Sequence, residues 1–265
     1  MSKLDSYSMM IVSKYFVTLE DFCNIEAVNS KFDSLLSKFH YNPISITRNQ
    51  LHLFPNLETL HIYSFYSDQF SDINFYRRVY WRPVSYRIYL QPHDNVIYKN
   101  VVYTLGDIEL YGTDIPKVVT SLGDNCFIHN SSNLWFNAND NQNTPETIEV
   151  PPQITALGNS CYANNNTAKY IFGNKLISIG EMCFYDNTNL VEIVLPDSLR
   201  TIQNRAFNRC INLNNIAIPS RVEVLGECVF LGCSNLSVIE LPKNLREIGM
   251  ACFKNCKIER ICIQT

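Results

Sequence analysis

The chain has 265 residues, 46% of them hydrophobic, and its 22 Lys and Arg stand against 25 Asp and Glu for a formal net charge of −3. That is apolar material enough for one large or two modest folded domains, and the near-balance of charge lacks the footprint a phosphate-backbone binder needs, so no nucleic acid partner is expected. No run approaches the roughly 20 apolar residues of a membrane-spanning helix, and Lys3, Asp5, Lys14 and Glu20 interrupt the start, so neither membrane insertion nor a signal peptide is expected and the location predicted is cytoplasmic.

From Met9 to Phe39 the apolar residues Ile11, Val12, Tyr15, Phe16, Phe22, Ile25, Val28, Phe32, Leu35, Leu36 and Phe39 recur at helical spacing. A turn and an N-cap fall near Thr18 to Asp21. Two or three short helices are predicted, within a segment 1–48. Asp21-Phe22 and Val28-Asn29-Ser30-Lys31-Phe32 give this segment a resemblance to an F-box, whose helices dock on the adaptor of a ubiquitin ligase; the Leu-Pro start of that motif is absent, since Leu4 is followed by Asp5. The alternative is that the helices cap the first turn of a solenoid, whose apolar end would otherwise be exposed.

The region 49–117 is mixed. LFPNLETLHIY, Leu53 to Tyr63, places Leu57, Leu60 and Ile62 at strand positions of a leucine-rich unit, whereas Ser64 to Pro116, rich in Tyr and Arg, departs from any repeat.

The region 118–265 is self-similar. Units begin at Ile154, Leu176, Leu199, Val222 and Leu245, spaced 22, 23, 23 and 23 residues apart, on the pattern L-x-x-I-x-x-x-(C/A)-F-x-x-C-x-N-L-x-x-I-x-L-P-x-x. Position 4 (Leu157, Ile179, Ile202, Leu225, Ile248) and position 9 (Tyr162, Phe184, Phe207, Phe230, Phe253) are predicted core, each stacking on its neighbour's copy. Position 18 (Ile171, Ile193, Ile216, Ile239, Ile261) and position 20 (Leu195, Ile218, Leu241, Ile263) alternate as a short strand does. Pro196, Pro219 and Pro242 at position 21 close the strand, because proline has no N–H to give a ladder. An earlier unit runs from Val119 through Leu122, Cys126 and Phe127 and resumes at Ile148, interrupted between Trp135 and Glu146 by an Asn-rich insertion read as a surface loop.

From Val119 to Thr265 the pattern resembles the BspA-like, Treponema-type leucine-rich repeats, whose members are regarded as interaction or adhesion proteins. The resemblance implies an α/β repeat solenoid, a leucine-rich-repeat arc of short parallel strands, here with a small helical N-terminal cap.

The chemistry-bearing residues fall into structural columns. Cys126, Cys161, Cys183 and Cys252 share position 8, and Cys210, Cys233 and Cys256 share position 12. With no His in a zinc-ligand pattern, these are expected to be buried free thiols and no metal is expected. Gly158, Gly180, Gly226 and Gly249, at position 5, read as turn residues. His40, His52, His61, His93 and His129 couple to no nucleophile, so neither catalysis nor a cofactor is expected. Asn130, Asn165 and Asn235 begin sequons that would matter only in an exported chain.

Positions 17 and 19 of each strand should face the concave side of the arc. There Tyr170, Phe172, Glu192, Val194, Asn215, Val238, Glu240 and Arg260 form an apolar strip edged by charge, the anatomy of a protein interface. The function expected is a non-catalytic protein-protein interaction module, an adaptor or regulatory scaffold. Its alternatives are a cell-surface or secreted adhesin, reaching the surface by an unconventional route, a substrate receptor of a ubiquitin ligase, and a regulatory subunit of a signalling enzyme such as a phosphatase. No polar unit follows Ile263, so a homo-oligomer through the C-terminal repeat is also an expectation.

Overall fold

The computed structural model describes residues 6–128, 145–165 and 167–264. The Asn-rich insertion, His129 and the Asn130 sequon lie outside the described residues. The chain divides into two compact units, residues 1–84 with 88–100, and residues 85–87 with 101–265.

The first unit begins with α1 (Ser6–Val12) and α2 (Leu19–Val28), followed by β1 (Thr59–Ile62) and β2 (Arg77–Tyr80). The predicted turn is a capping box: Thr18 Oγ1 accepts from the Asp21 backbone N–H, and the Asp21 carboxylate accepts from Thr18 N at 2.8 Å. Beyond α2 the apolar residues continue through short 3-10 turns, and Phe22, Phe32, Leu35, Leu36 and Phe39 join Ile44, Phe54, Leu60 and Ile62 in one buried core. The helical segment therefore shares one core with β1.

Next come β3 (Val84–Ser85), α3 (Tyr86–Tyr89) and β4 (Val96–Tyr98). β1, β2 and β4 form one parallel sheet in the order of the chain. The Tyr- and Arg-rich stretch thus carries strands that its sequence hides, because Arg78 and Tyr80 occupy the row that Leu60 and Ile62 begin.

In the second unit each turn from Ser121 onward contributes a short strand of two residues and, further on, a second strand of two to four, here called the longer one. The short strands are β5 (Val101–Tyr103), preceding α4 (Leu105–Tyr111), then β6 (Ser121–Leu122), β8 (Ala156–Leu157), β10 (Ser178–Ile179), β12 (Thr201–Ile202), β14 (Val224–Leu225) and β16 (Glu247–Ile248). All pair in parallel, turn upon turn. The longer ones are β7 (Thr147–Glu149), β9 (Lys169–Ile171), β11 (Glu192–Ile193), β13 (Asn215–Ala217), β15 (Val238–Leu241) and β17 (Arg260–Ile263), in two parallel groups that break between β11 and β13. This is a leucine-rich-repeat solenoid.

Its core is the stack of columns. The position-9 rings lie face to face, with centroids 5.9 Å apart for Tyr162–Phe184, 5.2 Å for Phe184–Phe207, 5.5 Å for Phe207–Phe230 and 5.6 Å for Phe230–Phe253. Two residues per turn take the left-handed region, at position 7 (Met182, Arg205, Cys228, Ala251) and position 11 (Asp186, Arg209, Gly232, Asn255).

The position-5 glycines are not turn residues. Gly158, Gly180, Gly226 and Gly249 have no left-handed φ; a Cβ on Gly180 would sit 2.6 Å from the Gly158 carbonyl carbon, and one on Gly249 would sit 2.5 Å from that of Gly226. They allow successive backbones to close. The third turn places Gln203 in this column, and its N–H reaches Ile179 O at 3.1 Å, against 2.8 Å for Gly158 to Leu122 and 2.9 Å for Gly180 to Leu157.

In the last turn the predicted core residues Ile248, Ile261 and Ile263 are exposed. A column residue is buried only between two neighbours, and among the described residues no later strand pairs with β16 or β17.

Candidate functional site

The face formed by the longer strands carries the outward residues. On β11, Ile193 is buried while Glu192 and Val194 face out, and Val194 is 66% exposed. On β13 and β15 the outward places belong to Asn215, Ala217, Val238 and Glu240, and on β17 to Arg260 and Cys262, in the register Asn215↔Val238↔Arg260.

Two predicted face residues are not on it. Tyr170 is 1% exposed, and its hydroxyl donates to Asn187 Oδ1 at 2.9 Å. The register pairs Tyr170 with Ile148 on one side and Ile193 on the other. The cause is length: the unit starting at Ile154 has 22 residues, the shortfall precedes its strand, and counting from the unit's start misplaces that strand by one. Phe172 likewise falls in the row of Leu195; it is half-buried, its ring parallel to Tyr170 at 6.3 Å and edge-on to Phe184 at 6.1 Å. The outward places on β9 go to Lys169 and Ile171, and Ile171, predicted as core, is 43% exposed. A one-residue slip exchanges the two faces of a strand.

Ile171 and Val194 therefore sit side by side; beyond them Ala217 pairs with Glu240, and Val238 stands opposite Asn215 in the neighbouring outward row. Where β11 and β13 part, a shallow recess of about 180 Å³ opens, lined by Glu192, Val194, Asn215, Ala217, Val238 and Glu240. Ile193, Leu195 and Ile216 line it as well, and Glu192 and Glu240 are its carboxylates.

The cysteine columns face inward. The position-12 thiols donate to the position-9 carbonyl of the preceding turn: Cys210 Sγ to Phe184 O at 3.2 Å, Cys233 Sγ to Phe207 O at 3.1 Å and Cys256 Sγ to Phe230 O at 3.0 Å. Asn187, at the same position, does this with its amide to Tyr162 O at 2.8 Å. Burial pushes the Cys126 thiol up to about 12 and those of Cys252 and Cys256 to about 11, far from thiolate character at neutral pH. All ten cysteines are unbridged, and among the described residues no group of three or more His, Cys, Asp and Glu could hold a metal. Asn165 is buried, its Oδ1 taking the Thr167 hydroxyl at 2.7 Å, so that sequon is closed in the folded chain.

On the first unit, His61 stacks on Tyr41 with centroids 4.8 Å apart, and its Nδ1 lies 3.1 Å from the Tyr63 hydroxyl, which donates to Asn42 O. Burial, with Lys99 adding to it, lowers His61 to about 4. No described helix is long and apolar enough to cross a membrane.

The family described as BspA type Leucine rich repeat region matches residues 155–265 in six copies. No curated protein sequence matches the chain. Among solved structures, a leucine-rich-repeat protein of Treponema pallidum is 25% identical over 45% of this chain and 59% of its own, with a TM-score of 0.44. A leucine-rich cell surface protein of Faecalibacterium prausnitzii is 18% identical over 55% and 43%, with a TM-score of 0.40. A Bacteroides ovatus leucine-rich-repeat protein is 20% identical over 78% and 49%, with a TM-score of 0.41. This chain thus spans about half the length of those structures. Residues 155–265, which carry the stacked Phe rings and the Cys columns, are thus a region of BspA-type leucine-rich repeats.

Proposed function

We propose that the chain is a non-catalytic protein-binding module whose contact surface is the long-strand face of the second unit, centred on Ile171, Val194 and Val238 and edged by Lys169, Glu192, Glu240 and Arg260. The observation that carries this is the exposure of two large aliphatic side chains, Ile171 and Val194, side by side on adjoining strands that otherwise bury every second residue. Solvent-exposed Val and Ile on a sheet face contribute little to folding, whereas a contiguous apolar centre with a charged rim is what a partner's apolar residues can desolvate. The recess between β11 and β13 adds depth at the middle of that surface, where anchor side chains concentrate.

The test is affinity capture from native lysate with the wild-type chain beside an Ile171→Asp, Val194→Asp variant, both shown to be folded by circular dichroism. Loss of a captured protein from the folded variant supports the reading. Identical capture by both chains overturns it.

A further inference from the structure

In the first unit Arg82 pairs with no carboxylate among the described residues. Arg82 follows β2, and its guanidinium lies over two rings, 4.7 Å from the centroid of Phe65 and 5.1 Å from that of Tyr80. Tyr80 is backed by Tyr98, 5.2 Å away, and anchored through its hydroxyl to Gln69 Oε1 at 3.2 Å. The stack fixes the plane of the guanidinium and strips part of its hydration.

Its hydrogen-bonding capacity is nearly unused. Nη1 makes one long bond to Pro83 O at 3.4 Å, Nε is buried with no partner, and among the described residues no carboxylate pairs with it. A buried guanidinium donor left unmet is costly. Two other arginines of the unit have polar partners: Arg48 forms a two-pronged pair with Asp72, and Arg78 donates to Phe70 O and Ile73 O, while Arg77 lies over the ring of Tyr76. Between Ile73 and Asn100 the sequence carries Arg77, Arg78, Arg82, Arg87 and Lys99 against a single carboxylate, Asp94. The local field favours an incoming anion.

We propose that Arg82, lying over the rings of Phe65 and Tyr80, is a binding site for an oxyanion attached to an apolar or aromatic body: the forked guanidinium takes the carboxylate or phosphate, and the exposed Phe65 ring takes the body. Carboxylates and phosphomonoesters share this chemistry, and the probes separate them. The inference is independent of the long-strand face.

The full chain, labelled with nitrogen-15 arginine, is titrated with phenyl phosphate, with benzoate and with uncharged benzyl alcohol while the Arg82 Nε–H resonance is followed. That resonance is assigned by its loss in Arg82→Lys. Saturable shifts are expected with the anions and none with the alcohol, and the tighter of the two anions names the source. Arg82→Lys, which keeps the charge but loses the fork, should weaken binding about tenfold, Phe65→Ala should weaken it as well, and Arg77→Lys should leave it unchanged. Linear, non-saturating shifts, equal response to benzyl alcohol, or undiminished binding in Arg82→Lys overturns the proposal.

Discussion

Replacing Gly180 by alanine tests the packing account of the repeat at one atom. The new Cβ would stand 2.6 Å from the Gly158 carbonyl carbon, 2.7 Å from its oxygen and 2.8 Å from Asn159 N, all of them backbone with nowhere to turn. Ordinary contact between such atoms begins near ~3.5 Å, so the turns must separate by roughly 1 Å. The Gly180 N–H bond to Leu157 O, 2.9 Å long, and the Glu181 N–H bond to Asn159 Oδ1, 2.8 Å long, both lie across that gap. Overpacking of this kind costs about 1–3 kcal/mol and a weakened hydrogen bond about 1, giving about 2–4 kcal/mol. Gly232→Asn is the contrast: its φ is +78°, its nearest Cβ neighbour is 3.6 Å away on the Arg209 side chain, and asparagine tolerates that region at below about 1 kcal/mol. Urea unfolding followed by circular dichroism measures both. A Gly180→Ala variant within about 0.5 kcal/mol of wild type, the usual range of an innocuous substitution, or more stable than Gly232→Asn, refutes the close-approach reading.

Other outcomes follow from the same contacts. Tyr170→Phe strips the donor from the buried Asn187 Oδ1 and should cost about 1–3 kcal/mol; a surface tyrosine would cost nothing measurable, so a silent substitution contradicts its placement. His61 has its folded-state pKa lowered from 6.5 to about 4, so between those values the unfolded chain binds the extra proton and the first unit should lose stability as pH falls through that window. His61→Gln should flatten the dependence, and an unchanged pH profile contradicts it. Maleimide at neutral pH should label exposed Cys23 rapidly while Cys161, Cys183, Cys210 and Cys233 react only after unfolding; peptide mapping that finds Cys183 modified in the folded chain contradicts the buried-thiol assignment.

Much of the second unit was legible in the sequence because one turn cannot bury its own apolar stripe, so the same residue type must recur at each stacked position. The columns at positions 4, 9 and 20 follow from that requirement alone. Register within a turn is another matter: it depends on where a length change falls, and the missing residue before β9 exchanged the roles of Tyr170 and Ile171. The glycine column looked like turns because sequence reports the absence of a Cβ and not which constraint demands it. In the first unit the strands β2 and β4 were hidden because Arg78, Tyr80 and Tyr98 fill rows that aliphatic residues fill elsewhere, their apolar stems and rings covering the sheet while the polar ends of Arg78 and Tyr80 reach partners. The face itself was partly legible: Glu192, Val194, Asn215, Ala217, Val238, Glu240 and Arg260 are outward, where positions 17 and 19 put them, whereas Lys169 and Ile171 needed the register.

Hydrogen–deuterium exchange on the complex recovered with the wild-type chain addresses the long-strand face most directly. The account predicts added protection at 169–171, 191–194, 215–217 and 238–240, the backbone beneath Ile171, Val194, Ala217 and Val238. Protection confined to the N-terminal helices or to the short-strand side, with those four segments unchanged, would contradict it.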